Sequence, residues 1–357
     1  MTIEFIPSVI NIDSEILQLL EAISRKQGGL SAHKHSLQDQ QEIESIATID
    51  AVHFSTKIEG NHLTRDQVTR ALKSKEPKSP SHDLREVLNY SRARKLAREW
   101  AIKNKPLKDE WILTHHKELL DGIVKGKLRG HYRDAQCVIQ DSKTRAIVYM
   151  AADAKDVPTL MKGLLAWLRK QRISGTSPLL TAAQFHYELV TIHPFMDGNG
   201  RIARLLTNGI LLSGGYDVEQ FAALEKQHEK DRAAYYQALR SLQAHNYYDI
   251  PQGKDIKPWI TYWLKCLLAT YDEALTRISG IKSSQVSSHP PTFDDRLKKA
   301  ESIFRKHLKL RASEYADLMG LARTQAVADL NRLVEDGVLE RVGGGRSTVY
   351  QIRIITK

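Results

Sequence analysis

The residues best suited to chemistry in this chain lie from Thr191 to Arg204, where the sequence reads TIHPFMDGNGRIAR. The stretch brings together a histidine, a carboxylate, a Gly-Asn-Gly turn and two arginines. Apolar residues at helical spacing precede it and follow it, so we expect a short loop between two helices. Groups that can carry charge and move protons are therefore concentrated at one loop-to-helix junction.

The turn formed by Gly198, Asn199 and Gly200 comes directly before the second predicted helix. Glycine lets the backbone approach a ligand closely, and the start of a helix offers unpaired N–H groups and a positive dipole end. Arg201 and Arg204 are three residues apart and so share one helix face. Two guanidiniums beside a set of amides suit a diphosphate or triphosphate better than a single carboxylate.

Asp197 and His193 complete the predicted phosphate site. A carboxylate beside an anion site is explained if a divalent cation bridges it to phosphate oxygens, as Mg²⁺ commonly does. His193 could take a proton from an attacking hydroxyl, because histidine titrates near neutral pH. The alternative is that a histidine before proline is merely packed and that Gly-Asn-Gly is merely a turn. The joint occurrence of these groups favours a functional site.

The residues from His193 to Arg204 fill every specified position of the Fic motif HxFx[DE]GNGRxxR, so the chain resembles Fic proteins. These are helical enzymes that typically transfer AMP from ATP to a hydroxyl of a target protein. The resemblance implies that His193 is the general base and that Asp197 holds Mg²⁺. It also implies that the phosphates are bound by the following residues: Gly198, Asn199, Gly200, Arg201 and, at the γ-phosphate, Arg204. In the related Doc toxins a lysine replaces the second glycine and phosphate is transferred, so Gly200 favours AMP.

Residues Arg133 to Tyr149 contain two short β-prone runs, CVI and AIVY, around the polar segment DSKTR, which predicts a hairpin. Taken alone it is an ordinary surface hairpin. The resemblance implies a flap that binds the target by strand addition. The residues then expected to line the nucleotide site are Ile139, Gln140, Asp141 and Ser142.

The stretch RAAYYQAL resembles the family pattern RxxYYxxL, in which a tyrosine flanks the adenine. Tyr235 and Tyr236 are the resulting candidates for adenine contacts, with Gln243 as a further one. The alternative is that the tyrosine pair belongs to the core.

An upstream stretch from Ser55 to Asn61 reads STKIEGN, and a predicted helix ends there with Gly60 as its cap. By itself Glu59 is a solvated residue at a helix end. Ser55 to Gly60 also fits the family's inhibitory pattern [ST]xxxE[GN], which implies that Glu59 pairs with Arg204 and keeps it off the γ-phosphate. The stretch EVLNYSRA, residues 86–93, resembles the same N-terminal region. Whether Glu59 also serves in AMP removal stays open.

The chain of 357 residues is predicted to be mainly α: a Fic-type helical bundle with a β-hairpin flap and a C-terminal winged helix-turn-helix. We expect an N-terminal helical region over residues 1–105, a catalytic core over 106–278, a Ser/Gly/Pro-rich linker over 279–293 and the winged helix over 294–357. A formal charge of +11 indicates either a polyanionic partner or a generally basic surface. Cys137 and Cys266 lie far apart, which excludes a disulfide scaffold.

The N-terminus lacks the features of a signal peptide, and no apolar run approaches the length of a membrane span. We therefore expect a cytoplasmic protein without a membrane partner.

The C-terminal segment raises a competing function, DNA binding. Its predicted recognition helix carries Arg323, Thr324, Gln325 and Arg332, and the wing carries Arg346. Against this, the segment has only a small basic excess and Asp329 lies in the middle of the helix. The alternative is a module for protein docking or homodimerisation.

The sequence predicts an autoinhibited protein adenylyltransferase that uses ATP and Mg²⁺. Transfer of another nucleotide such as UMP, or a nucleotide-sensing DNA regulator, remain as alternatives. The target protein is not indicated.

Overall fold

The computed structural model describes residues 3–32, 36–124, 126–140, 144–286, 296, 300, 303–304, 307, 309–344 and 348–352. Most of these residues are helical, as the sequence predicted. The helices are α1 (Ser14–Ala32), α2 (Leu37–Ile58), α3 (Arg65–Lys73), α4 (His82–Ile102), α5 (Asp109–Leu119), α6 (Val157–Ile173), α7 (Pro178–Ile192), α8 (Asn199–Ser213), α9 (Leu224–Lys230), α10 (Arg232–Arg240), α11 (Lys257–Val286), α12 (Ala312–Met319) and α13 (Arg323–Glu335). The strands are β1 (Val138–Gln140), β2 (Ile147–Met150), β3 (Leu339–Val342) and β4 (Val349–Ile352).

The chain divides into two compact units, one formed by Met1–Ala32 with Ile43–Thr276 and the other by His33–Glu42 with Arg277–Lys357. The first unit contains most of the predicted catalytic core and most of the predicted N-terminal helical region, whose residues 33–42 belong to the second unit instead. Within it α8 packs against α7 and α4. Nearly every residue of α7 and α8 is buried, so these two helices form the centre of the unit. None of the described helices combines the length and the apolarity needed to cross a bilayer.

Local sequence explains where several helices begin. Thr64 and Gln67 form a reciprocal capping box at the start of α3, and the Ser81 hydroxyl accepts the Leu84 N–H at the start of α4. Proline occupies the first turn of both α6 and α7, where its missing N–H costs nothing. Helix α11 continues to Val286, so the first part of the predicted linker 279–293 is helical. The rest of that linker lies outside the described residues.

In the second unit, α12 and α13 pack with the antiparallel strands β3 and β4 on a core that includes Tyr315, Leu330 and Tyr350. Asp329, in the middle of α13, is buried and accepts two hydrogen bonds from the Arg296 guanidinium, at 2.7 and 3.0 Å. Its charge is therefore internal to this unit and does not offset the exposed basic residues of α13.

Candidate active site

The loop between α7 and α8 carries the motif, as predicted, and two backbone features shape it. His193 follows α7 in the left-handed conformation, with φ of +54°, while its N–H still bonds the Leu189 carbonyl at 3.0 Å. Gly198 precedes α8 with φ of +81°, a conformation that glycine adopts without strain. The Asn199 side chain bonds both the N–H and the carbonyl of Phe195, each at 2.9 Å. Asn199 thus holds the loop closed, and its side chain is not free for a ligand.

His193 has the protonation state of a general base. Its Nδ1 lies 3.1 Å from the Val190 carbonyl, so Nδ1–H donates there and Nε2 is left unprotonated in the neutral ring. Burial, together with the nearby Arg133 cation, lowers the pKa of His193 to about 4. The ring is therefore neutral at physiological pH, with a lone pair available at Nε2.

Arg133 fixes the position of His193 through the main chain, a role that the sequence did not reveal. Its Nε donates to the His193 carbonyl at 2.8 Å, and its other two nitrogens donate to the carbonyls of Ala135, at 2.9 Å, and Ala152. Its backbone N–H also donates to the Pro194 carbonyl at 3.0 Å. One buried side chain therefore ties the catalytic loop to the base of the predicted flap.

His116 supports the same loop from α5, and it too was not found from the sequence. Its ring stacks on Phe195 with centroids 3.7 Å apart. Nδ1 accepts the Gly130 N–H at 3.0 Å, so Nε2 carries the proton that is donated to the Asp197 carbonyl, also at 3.0 Å. Burial lowers the pKa of His116 to about 4, which keeps this donor–acceptor arrangement fixed at neutral pH.

The Asp197 carboxylate fits a magnesium ligand. Its Oδ1 accepts the Gly198 N–H at 2.6 Å and an Arg201 N–H at 3.0 Å. Within the described part of the chain, Oδ2 makes no hydrogen bond, and the side chain is 49% exposed. Mg²⁺ usually takes one or two carboxylates together with water and substrate phosphates, so a single free carboxylate oxygen at an anion site suits it.

Arg201 is buried between two carboxylates. Besides Asp197 it contacts Glu86, whose Oε1 lies 2.7 Å from Nη1, and the other oxygen of Glu86 accepts from Asn61 Nδ2 at 2.9 Å. Burial alone would lower the pKa of Arg201, but the surrounding carboxylates raise it, so the guanidinium is charged. Its Nε is buried and has no hydrogen-bond partner among the described residues.

The predicted contact between Glu59 and Arg204 is present. Arg204 Nη2 lies 2.9 Å from Glu59 Oε1 and 2.9 Å from the Ser55 carbonyl, while Nε donates to the Ser55 hydroxyl at 2.8 Å. Arg204 is only 2% exposed, and its Nη1 is unpaired within the described ranges. Burial disfavours its charge, but the Glu59 carboxylate raises the pKa of Arg204 above its usual value. The two guanidiniums thus keep one unused buried donor each.

Helix α2 positions Glu59 by the way it ends. Gly60 has φ of +100°, its N–H bonds the Lys57 carbonyl at 3.0 Å, and the Asn61 N–H bonds the Thr56 carbonyl at 3.2 Å. This Schellman pattern confirms Gly60 as the cap. Gly200 faces the same carboxylate, because a Cβ added there would overlap Glu59 Oε1. A side chain at position 200 would therefore displace the Glu59 carboxylate from its present place beside Arg204.

The predicted hairpin is confirmed as β1 and β2, with Ile139 opposite Tyr149. The Tyr149 hydroxyl donates to the Thr191 carbonyl at 2.7 Å, which anchors the hairpin to the end of α7. Ile139 is half-buried and Gln140 is exposed. Asp141 and Ser142 lie outside the described residues.

The candidate adenine residues differ in accessibility. Tyr235 is 1% exposed and its hydroxyl is 3.0 Å from His186 Nε2, so in this structure it belongs to the core and offers no surface to a ligand. Tyr236 is half-buried and its hydroxyl contacts the Ile58 carbonyl at 3.4 Å, next to Glu59. Gln243 donates to the Thr191 hydroxyl at 3.3 Å. Of the three residues predicted to contact adenine, Tyr236 and Gln243 therefore remain candidates.

Comparison with known protein families identifies the family of this chain. The Fic/DOC family model matches residues 106–211, and the Fic/DOC family N-terminal model matches residues 17–99. The two matches together span more than half of the chain. This chain belongs to the Fic/DOC family.

The curated relatives of this Fic/DOC chain are named protein adenylyltransferase Fic. The protein of Drosophila erecta is 28% identical over 266 residues, which cover 73% of this chain and 49% of the relative. That of Nematostella vectensis is 29% identical over 276 residues, covering 76% of this chain and 58% of the relative. The chain thus spans about half the length of the curated relatives it matches.

Solved structures show the Fic fold. A Fic family protein from Desulfovibrio desulfuricans G20 superposes with a TM-score of 0.64 at 23% identity, over 98% of this chain and 99% of that one. A Fic domain containing signaling protein from Bacteroides thetaiotaomicron gives a TM-score of 0.63 at 24% identity, over 75% of this chain and 97% of that one.

Proposed function

We propose that this protein transfers AMP from ATP to a hydroxyl group of a protein. The observation that carries the proposal is the junction of α7 and α8, which brings a neutral histidine, a half-exposed carboxylate and two buried arginines to one helix N-terminus. The curated relatives named as protein adenylyltransferases support the same assignment. UMP transfer is the alternative, because the adenine contacts are the least defined part of the site.

In the proposed reaction, His193 Nε2 accepts the proton of the attacking hydroxyl, whose oxygen bonds to the α-phosphorus in line with the leaving pyrophosphate. The N–H groups at the start of α8 and the unused donors of Arg201 and Arg204 bind phosphate oxygens and offset their charge. Mg²⁺, held by Asp197, supplies further charge neutralisation when bound. Arg133 keeps His193 in position by donating a hydrogen bond to its carbonyl.

The contact of Glu59 with Arg204 makes the proposed enzyme autoinhibited. A γ-phosphate needs the guanidinium that Glu59 occupies, and the Ser55 hydroxyl and carbonyl hold the arginine in the same orientation. Removing the carboxylate frees one donor and also removes a negative charge that repels phosphate.

The test compares wild type, Glu59→Gly and His193→Ala after incubation with Mg²⁺ and ATP labelled on the α-phosphate. We expect strong self-labelling of Glu59→Gly, weak labelling of wild type and none of His193→Ala. ATP labelled on the γ-phosphate and UTP labelled on the α-phosphate serve as controls for phosphate transfer and for UMP transfer. Equal labelling of wild type and Glu59→Gly would remove the inhibitory role, and labelling from UTP instead of ATP would change the nucleotide.

The hairpin is the proposed docking site for the target protein. Strand β2 pairs with β1 on one side and contacts Asn246 on the other, whereas β1 has no second partner among the described residues. A strand edge of this kind can accept an extended peptide. Replacing Val138 with proline removes a backbone donor from β1 and should reduce labelling of a protein target more than binding of ATP. An equal loss of both would argue against docking here.

A second proposed function is DNA binding by the C-terminal unit, which we interpret as a winged helix. The specific observation in its favour is that Asp329 is paired internally with Arg296, while Arg323, Thr324, Gln325 and Arg332 are all exposed on α13. Arg346 lies outside the described residues. Retention on duplex DNA that weakens steeply with salt is expected, and absence of binding at low salt would favour docking or dimerisation instead.

A further inference from the structure

Tyr235, which the structure buries in the core, lies beside the arginine that the proposed reaction needs at the γ-phosphate. Tyr235 is 1% exposed, and its hydroxyl is 3.0 Å from His186 Nε2 on α7. Burial raises the pKa of Tyr235 and the Arg204 cation opposes this rise, so the two side chains are neighbours. His186 and Arg204 also line one small pocket between α7, α8 and α9. Arg204 is thus bordered by polar groups of the core as well as by Ser55 and Glu59.

The hydrogen bonds of His186 determine how the Tyr235 hydroxyl is used. The Thr207 hydroxyl donates its one hydrogen to the Ala203 carbonyl at 2.6 Å, so its oxygen can only accept from His186 Nδ1, 3.4 Å away. Burial lowers the pKa of His186 well below its usual value, so the ring is neutral, with its hydrogen on Nδ1 and an acceptor at Nε2. Tyr235 therefore donates its own hydrogen to Nε2. The lone pairs of the Tyr235 oxygen are left for a donor on another residue.

Arg204 has an N–H group that lacks an acceptor. Nε and Nη2 are held by Ser55 and Glu59, both at the end of α2, whereas Nη1 is buried and makes no hydrogen bond within the described part of the chain. In the proposed active arrangement the γ-phosphate takes the place of Glu59, so Ser55 alone would orient the guanidinium from α2. An acceptor on the core side is then needed to fix the plane of the guanidinium, because an unpaired buried N–H is costly.

We propose that the Tyr235 oxygen accepts a hydrogen bond from the Arg204 guanidinium when Glu59 is withdrawn and ATP is bound, which makes Tyr235 a positioning residue for the γ-phosphate. This role rests on the proposed function, because Tyr235 acts only through Arg204. A phenol oxygen is a neutral acceptor, so it orients the guanidinium without neutralising the charge that a phosphate needs. Thr207 lies three residues after Arg204 on the same face of α8, so the bonds from Thr207 through His186 fix the tyrosine oxygen relative to that helix.

ATP and ADP distinguish this role from a purely structural one, because only ATP carries a γ-phosphate. Titration calorimetry with Mg²⁺ measures the affinity of Glu59→Gly, and of the double variant that adds Tyr235→Phe, for each nucleotide. We expect Tyr235→Phe to weaken ATP binding about tenfold, through the loss of one hydrogen bond to a charged group, and to change ADP binding by less than about twofold. Retained ADP binding also shows that the double variant is folded.

Tyr271→Phe in the same Glu59→Gly background is the matched control. Tyr271 is also fully buried, and its hydroxyl donates to one side chain, Gln27 Oε1 on α1, at 2.7 Å. The substitution removes the same atom from the core without touching Arg204, so the preference for ATP over ADP should stay as it is in Glu59→Gly.

The results separate two kinds of failure. Equal losses of ATP and ADP affinity in Tyr235→Phe, or an unchanged preference for ATP, would overturn the role of Tyr235 alone. Equal affinities of the parent Glu59→Gly protein for ATP and ADP would instead overturn the binding of the γ-phosphate by Arg204, on which this role rests.

Discussion

Glutamine in place of Glu59 would leave the Arg204 guanidinium buried without its counter-charge. Arg204 is 2% exposed and Glu59 Oε1 is the carboxylate oxygen that contacts it, at 2.9 Å. Glutamine keeps the size of the side chain and one oxygen acceptor, so the substitution removes charge with little change in packing. We expect it to destabilise the free protein and to strengthen the binding of polyphosphate.

The size of both effects follows from the geometry. Opposite charges about 4 Å apart interact by about 4 kcal/mol at the effective dielectric of a protein near its surface. Since the Glu59 side chain is 28% exposed, water screens part of this interaction. We therefore expect the ion pair to contribute about 2 kcal/mol to the free energy of unfolding. The free energy of unfolding of Glu59→Gln should fall by that amount. A phosphate anion that restores the counter-charge should bind about 30-fold more tightly to the variant.

Tripolyphosphate carries the phosphate charge of ATP without the adenine, so its binding reports only the change in charge at Arg204. Urea unfolding with and without the anion gives the free energy of unfolding, and calorimetry gives the affinity. Glu118→Gln is the matched control, because Glu118 pairs with Arg92 and its side chain is 29% exposed, close to that of Glu59. Arg92 is itself 39% exposed, so water can solvate it when the partner is neutral.

The Glu118 variant should lose less than about 0.5 kcal/mol and bind tripolyphosphate as wild type does. Equal destabilisation of the two variants would show that the burial of Arg204 does not matter. A stability loss in Glu59→Gln without tighter anion binding would show that the arginine does not face the phosphate site.

Three further predictions concern groups around the site. Because burial lowers the pKa of His193 to about 4, the rate of AMP transfer should stay constant from about pH 8 to about pH 5.5, and a fall near the ordinary histidine pKa of 6.5 would contradict this. Burial raises the pKa of Glu188 from 4.5 to about 7, so this carboxyl binds its proton more tightly in the folded state and its contribution to stability decreases as pH rises across that range. The stability of wild type relative to Glu188→Gln should therefore increase by about 3 kcal/mol on acidification through this window, and a difference independent of pH would refute it. Tyr149→Phe removes the hydrogen bond to the Thr191 carbonyl and should lower the free energy of unfolding by about 1 kcal/mol in urea titrations, with no change expected if water replaces the hydroxyl.

The sequence predicted the parts of the site that depend on neighbouring residues. The loop, the helix that follows it and the cap at Gly60 follow from local spacing and from the conformations that glycine allows, although the helix begins at Asn199, within the predicted turn. The hairpin follows from two short β-prone runs around a polar turn. The contact of Glu59 with Arg204 came from a family pattern, because the two residues are far apart in the chain.

The contacts that hold the site in place were not predicted, because they too join residues that are far apart in the chain. Arg133, His116 and Glu86 act through main-chain carbonyls or ion pairs with residues distant in sequence, and no periodicity marks such partners. Tyr235 was predicted to contact adenine, but the structure buries it in the core. A motif that places a tyrosine pair near a ligand does not state which ring faces the interior. The helix that continues to Val286 shows that serine and glycine content is only a weak guide to where a helix stops.

The three carbonyl contacts of Arg133 have a consequence for how such an enzyme could acquire new targets. They belong to Ala135 and Ala152 at the foot of the hairpin and to His193 itself, so one side chain below the strands joins the foot of the hairpin to the base. Tyr149 on β2 belongs to the same connection through its bond to the Thr191 carbonyl, whereas the exposed residues of β1 take no part in it. Their sequence can therefore diverge freely to fit different proteins, while the spacing between acceptor hydroxyl and base is inherited unchanged.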